Sequence, residues 1–164
     1  MNDAAEIIDA FVRMREALLR EADAVPAERR TTPFVGQWNL IDVLAHLVGW
    51  DYTNINAIEE LKAGTMPAFY RHYDPGWASY NRQLIDRYGS GDWQALRASI
   101  EQSQAAVVAM LRLLTPEELA REVSEPGRGR PVSLGGILHA AISDERQHLM
   151  QISAFLGSQR MGSA

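Results

Sequence analysis

Between residues 133 and 156, apolar side chains return at Leu134, Ile137, Leu138, Ala141, Ile142, Leu149, Ile152, Phe155 and Leu156. That is the i, i+3, i+4, i+7 spacing of a helix with one face in a core. Ser133 ahead of it predicts an N-cap and Gly157 after it a C-cap glycine, so that residues 158–164 read as a disordered tail. Through this stripe runs Asp144-Glu145-Arg146-Gln147-His148. At about 100° per residue, Glu145 falls near the middle of the stripe, with Asp144 and His148 one turn apart at its shoulder. Burying ionisable groups is costly unless they are paired or ligate a metal. Other helices must therefore bring partners to this one, and the chain can fold only around that requirement.

The preceding sequence supplies those helices. The first spans residues 4–24, with Ile8, Phe11, Val12, Leu18 and Leu19 inward, and Pro26 stops it. Asn39 caps a second, with Asp42 in its first turn and an apolar face of Val43, Leu44, Leu47, Val48, Ile55, Ile58 and Leu61 that reaches Ala63-Gly64. A ring-rich connection follows, with Phe69, Tyr70, His72, Tyr73 and Trp77. Asp74-Pro75 predicts the start of a short helix with Trp77, Tyr80, Leu84 and Tyr88 on one side. After Gly89-Ser90-Gly91 a longer helix runs over 92–114 on Leu96, Ile100, Val107, Leu111 and Leu114. Thr115-Pro116-Glu117-Glu118 is a capping box for one more turn. A Gly/Pro/Arg loop over 125–131 leads into the last helix, and no strand or repeat is evident. The reading is all-α: one four-helix bundle over residues 1–157, with a long connection between its second and third helices.

Composition narrows the function. A net charge of −5 without a basic stripe argues against nucleic acid as the partner. The absence of cysteine removes disulfides, thiolate metal sites and a cysteine nucleophile, and fits a cytoplasmic protein. There is no signal-peptide pattern and no apolar run approaching ~20 residues, so no membrane association is expected. The many rings between Phe69 and Tyr88 suggest a surface covered by a second copy, hence a homodimer.

His46 lies at the border of the second helix's apolar arc, where it can meet Asp144 and His148 across a bundle interior. Two imidazoles and a carboxylate leave coordination positions open, as a catalytic divalent metal requires. The competing reading is a plain hydrogen bond from His148 to Asp144 or Glu145. Among the remaining residues, His139 lies on the opposite face from His148 and is expected to be exposed. His72, Arg128 and Arg130 read as solvated, and Trp38 and Trp50 as core. Phe69, Tyr70 and Tyr73 either wall a pocket or pack a dimer. Ser79 and Ser143 have no neighbouring His/Asp arrangement, which excludes serine catalysis.

Two stretches carry a family resemblance. Trp38-Asn39-Leu40-Ile41-Asp42-Val43-Leu44-Ala45-His46-Leu47-Val48-Gly49-Trp50 resembles the second-helix signature of the DinB/YfiT-like superfamily of four-helix bundles. Glu145-Arg146-Gln147-His148-Leu149-Met150-Gln151-Ile152 is similar to its final-helix signature, a His-x-x-x-His pair followed by Gln-Ile. The resemblance implies a divalent metal (zinc, nickel, iron or manganese) with His46 as first ligand and His148 as third. Asp144 stands where the middle histidine is usual, as in the mycothiol-dependent maleylpyruvate isomerases, and the adjacent Glu145 is the alternative ligand. The superfamily includes transferases and isomerases that use mycothiol or bacillithiol, and the ClbS/DfsB-like proteins. The implied function is a metal-dependent hydrolase or a thiol-dependent S-transferase acting on a small molecule, with a low-molecular-weight thiol as possible cofactor and Glu145 as supporting group or general base. The rival is a metal-free protein that binds or sequesters a small molecule.

Overall fold

The computed structural model describes residues 4–72, 76–125 and 129–161. Four long helices form the bundle: α1 (Ala4–Ala24), α2 (Leu40–Lys62), α4 (Trp93–Leu111) and α6 (Leu134–Met161). A shorter α3 (Trp77–Tyr88) and a single turn α5 (Pro116–Ala120) lie in the connections. α1 packs mainly on α6, and α2 on α4 and α3.

The buried apolar residues fall into two clusters. One takes Ile7, Ile8 and Phe11 from α1, Ala57, Ile58 and Leu61 from α2, Val107 and Leu111 from α4, and Ile137, Leu138 and Ile142 from α6. The other takes Leu18, Leu19 and Ala22 from α1, residues 40–48 of α2, Leu96 and Ile100 from α4, and Ile152 from α6. The order in which each helix crosses the clusters fixes its direction. α1 and α6 run one way, and α2 and α4 both run the other. Two consecutive long helices with the same direction require a return, and the connection carrying α3 supplies it. The expected all-α bundle with a long second-to-third connection is what the chain forms.

Local chemistry explains the helix starts. Asn39 Oδ1 accepts from the amides of Ile41 (2.8 Å) and Asp42 (3.1 Å), and Asp42 Oδ2 accepts from the Asn39 amide at 3.0 Å, a full capping box. Thr115 and Glu118 cap α5 in the same way, and Ser133 Oγ accepts from the Gly136 amide at the start of α6. At the far end of α2, Gly64 takes a φ of +76°, the left-handed conformation that ends a helix.

The structure departs from the sequence reading in two places. α6 passes through Gly157 to Met161, so that glycine is no cap and the first residues of the expected tail are helical. A helical glycine costs only about 1 kcal/mol relative to alanine, and the preceding turn is anchored by Phe155, which stacks on Phe34 at 4.7 Å. Two two-residue strands do exist, β1 (Glu122–Val123) paired antiparallel with β2 (Val132–Ser133), too short to leave any periodicity. The rings of the connection largely pack within the chain: Trp50, Phe69 and Trp77 have mutual centroid distances of 5.4–5.8 Å. Tyr73, the expected Asp74-Pro75 helix start, Arg128 and the side chain of His72 lie outside the described residues. Among the described residues, no helix is long and apolar enough to cross a membrane.

Candidate metal centre

Each long helix sends one polar residue into a common layer of the core, and the four meet. Arg15 of α1, Asp51 of α2, Ser103 of α4 and Glu145 of α6 are each at most 2% exposed and lie between the two apolar clusters. Arg15 donates from Nε and Nη2 to both oxygens of Glu145 (3.1 and 2.6 Å), and from Nη1 and Nη2 to both oxygens of Asp51 (3.0 Å each). Its remaining N–H reaches the Ile100 carbonyl at 3.3 Å. Ser103 donates to Asp51 Oδ2 at 2.5 Å. All five guanidinium protons are engaged. Burial opposes the charge on Arg15, but Glu145 and Asp51 outweigh it and hold the guanidinium protonated far above the neutral range.

Sequence reasoning placed Glu145 in the stripe but missed its partners. The signal was present. Arg15 falls at helical spacing between Phe11 and Leu18, Asp51 between Leu47 and Ile58, and Ser103 between Ile100 and Val107.

One turn from this layer, α2 and α6 bring together His46, Asp144 and His148, with one potential ligand atom from each within 4.8 Å of the others. His46 Nε2 lies 3.1 Å from Asp144 Oδ2, and His148 Nε2 lies 3.7 Å from Asp144 Oδ1. Both imidazoles are buried, while Asp144 is half-exposed. Trp38 covers the pair, its ring 5.0 Å from His46 and 6.4 Å from His148 between centroids.

Protonation follows from these contacts. Burial raises the Asp144 carboxyl, but the hydrogen bond with His46 and the nearby imidazoles outweigh it and hold it below the usual carboxylate range. Burial pushes His148 down, against the opposing pull of Asp144. His148 Nδ1 donates to Gln151 Oε1 at 2.8 Å, which fixes the tautomer and leaves the Nε2 lone pair facing Asp144. Gln151 thus orients His148 from the next turn of α6, a role the Gln-Ile pair of the final-helix motif leaves unstated.

The donor set fits a divalent cation: two imidazoles and a carboxylate around one point. His46 turns Nε2 to Asp144, and its Nδ1, across the ring, is buried without a hydrogen-bond partner among the described residues. Asp144, not Glu145, stands beside the histidines, because Glu145 turns both oxygens to Arg15. His139 is exposed on the opposite face, as its helical position predicts.

Beside these residues opens a cavity of about 380 Å³. His46 and Asp144 form one end, and Arg15, Asp51 and Glu145 underlie it. Trp50, Phe69, Tyr70 and Trp77 make an aromatic wall, so Trp50 faces a pocket and is not simply core.

The profile of the DinB superfamily matches residues 4–152. No curated protein matches the chain. Among solved structures, a Streptococcus pneumoniae protein superposes with a TM-score of 0.79 at 15% identity, covering 96% of this chain and 92% of that one. The colibactin self-resistance protein ClbS, solved in complex with dsDNA, gives a TM-score of 0.71 at 13% identity, with coverage of 92% and 93%. The expectation of no nucleic-acid partner for this chain rests on its net charge of −5 and the lack of a basic stripe. YfiT from Bacillus subtilis, described as "a probable metal-dependent hydrolase with an unusual four-helix bundle topology", gives 0.64 at 18% identity, with coverage of 97% and 87%. At these identities the likeness shows the fold. With the profile spanning nearly its whole length, the chain belongs to the DinB superfamily.

Proposed function

We propose that the protein is a metal-dependent enzyme acting on a small molecule, a hydrolase or a thiol-dependent S-transferase. The observation that carries this reading is that His46 and Asp144, two members of the His46, Asp144 and His148 cluster, line an aromatic-walled cavity. Those three side chains would hold the ion. Bound there, a divalent cation supplies Lewis acidity that brings the pKa of water, or of a low-molecular-weight thiol, towards neutrality.

The chain's own residues do the rest. Gln151 keeps the His148 lone pair directed at the site, and Trp38 shields both imidazoles from solvent. The aromatic wall receives the apolar part of a substrate and excludes water around it. Glu145 acts as a positioning group: its grip on Arg15 fixes the turn of α6 that presents Asp144.

Elemental analysis of untagged protein after reconstitution tests the reading. About one zinc, nickel, iron or manganese ion per chain is expected, with loss of the ion in His148→Ala while the melt stays cooperative. A folded protein that takes up no ion would be the rival: a binding or sequestering protein whose His46–Asp144 hydrogen bond closes the network unaided.

A further inference from the structure

The cavity has a direction. On α2 it is lined by His46, Trp50 and Asn54, each one turn after the last, so it runs along that helix for about 12 Å at a rise of about 1.5 Å per residue. α6 runs the opposite way: Asp144 lies beside His46, and Ile137 lines the cavity two turns earlier in the helix. One end is therefore the candidate metal centre, and the other lies at Asn54 and Ile137. Between them stand Trp50 and Phe69, edge to face with ring centroids 5.5 Å apart. Trp50 Nε1 donates to Asn81 Oδ1 at 2.9 Å, so the middle of the cavity meets ring surface.

Asn54 stands out at the far end. It is 4% exposed and makes no hydrogen bond to a described residue. Its neighbour Thr53 turns its hydroxyl back to the Gly49 carbonyl at 2.9 Å, a common way to satisfy a polar side chain inside a helix. Asn54 makes no such bond. Asparagine is also a poorer helix former than leucine, so neither the local backbone nor helix stability accounts for an amide at this end. A buried amide is unfavourable until a partner reaches it.

We infer that the ligand of this cavity bridges both ends: a metal-binding donor at His46 and Asp144, a flat body along Trp50 and Phe69, and a hydrogen-bonding group two helical turns away on Asn54, which makes Asn54 a residue that determines specificity. The amide both donates and accepts, so it takes a hydrogen-bonding group of either kind. The inference rests on the proposed metal centre for one of its ends and adds a second anchoring point to it. Side chains reaching in from both ends shorten the span to that of a para-substituted benzene ring with its two substituents.

Calorimetric titration of the full chain reconstituted with zinc tests this with three probes: benzohydroxamate, 4-acetamidobenzohydroxamate and 4-isobutylbenzohydroxamate. The first reaches the metal end alone. The other two carry tails of similar shape, one with an amide and one without. The acetamide probe is expected to bind about tenfold more tightly than the isobutyl probe, which leaves Asn54 unpaired. In Asn54→Leu, a side chain of similar shape, that ratio should fall to about one. A merely structural effect would weaken both probes together and keep the ratio, and a thermal melt verifies folding. Equal or weaker binding of the acetamide probe to the wild type overturns the inference, as does an unchanged ratio in the folded variant or failure of all three probes on zinc-loaded protein. If benzohydroxamate binds and the acetamide adds nothing, the inference falls while the metal centre stands. If elemental analysis finds no zinc in the reconstituted chain, the metal centre falls and this inference with it.

Discussion

Arg15 and Glu145 stand 130 residues apart in sequence and are joined by two hydrogen bonds, 2.6 Å from Nη2 to Oε1 and 3.1 Å from Nε to Oε2. The pair ties the first helix to the last at the level where the core changes from one apolar cluster to the other. The same turn of α6 carries Asp144, so the buried ion pair and the candidate metal centre share one piece of backbone.

Breaking that layer from the Arg15 side should be severe. Arg15→Met leaves Asp51 and Glu145 buried without a countercharge, and removing one partner of such a pair costs about 3–5 kcal/mol. Replacing Arg15, Asp51 and Glu145 together by Met, Leu and Leu should recover most of the loss. Urea denaturation of the single and triple variants compares them, and a triple variant less stable than Arg15→Met would refute the account.

At Gly49, α2 lies close against Leu84 of α3. A Cβ there would lie 2.6 Å from Leu84 Cβ. Gly49→Ala should therefore destabilise by about 1–3 kcal/mol through overpacking, despite alanine's better helix propensity. Adding Leu84→Ala should return part of it, measurable as the shift in denaturation midpoint.

The metal site has graded expectations. Asp144→Asn should weaken ion binding clearly, and Asp144→His should preserve it, since imidazole is as suitable a ligand. Gln151→Leu should lower affinity by roughly 10–100-fold through loss of the bond that orients His148. Ion titrations on each folded variant decide; a silent Asp144→Asn would remove the carboxylate ligand from the proposal.

In metal-free protein, His148 predicts an acid-side loss of stability. Burial, the largest influence, lowers its pKa on folding, so the folded state favours the neutral ring. Its stabilising contribution is therefore complete above the unfolded value of 6.5 and is lost as the pH falls below it, through the folded pKa. The melting temperature should drop over that window, and His148→Gln should flatten the drop. An unchanged pH profile in the variant would contradict it.

Much of this protein can be read along the chain. The spacing of leucines, isoleucines and valines places every long helix, Asn39 and Ser133 mark the starts of two of them and Thr115 that of α5, because periodicity and capping act within a few residues. His46 and the Asp144/His148 pair were visible as polar residues at the edges of apolar arcs. Gly157 misled because a docked helix carries a glycine that a lone one would shed. What tertiary structure alone decided was pairing. The partners of Arg15 come from three other helices: Asp51 of α2, itself held by Ser103 of α4, and Glu145 of α6. Which carboxylate meets the histidines was settled in the same way. Arg15 claims both oxygens of Glu145, and Asp144 is left to face His46 and His148. A buried charge takes its role from whatever lies opposite it, and that is set by how the helices pack.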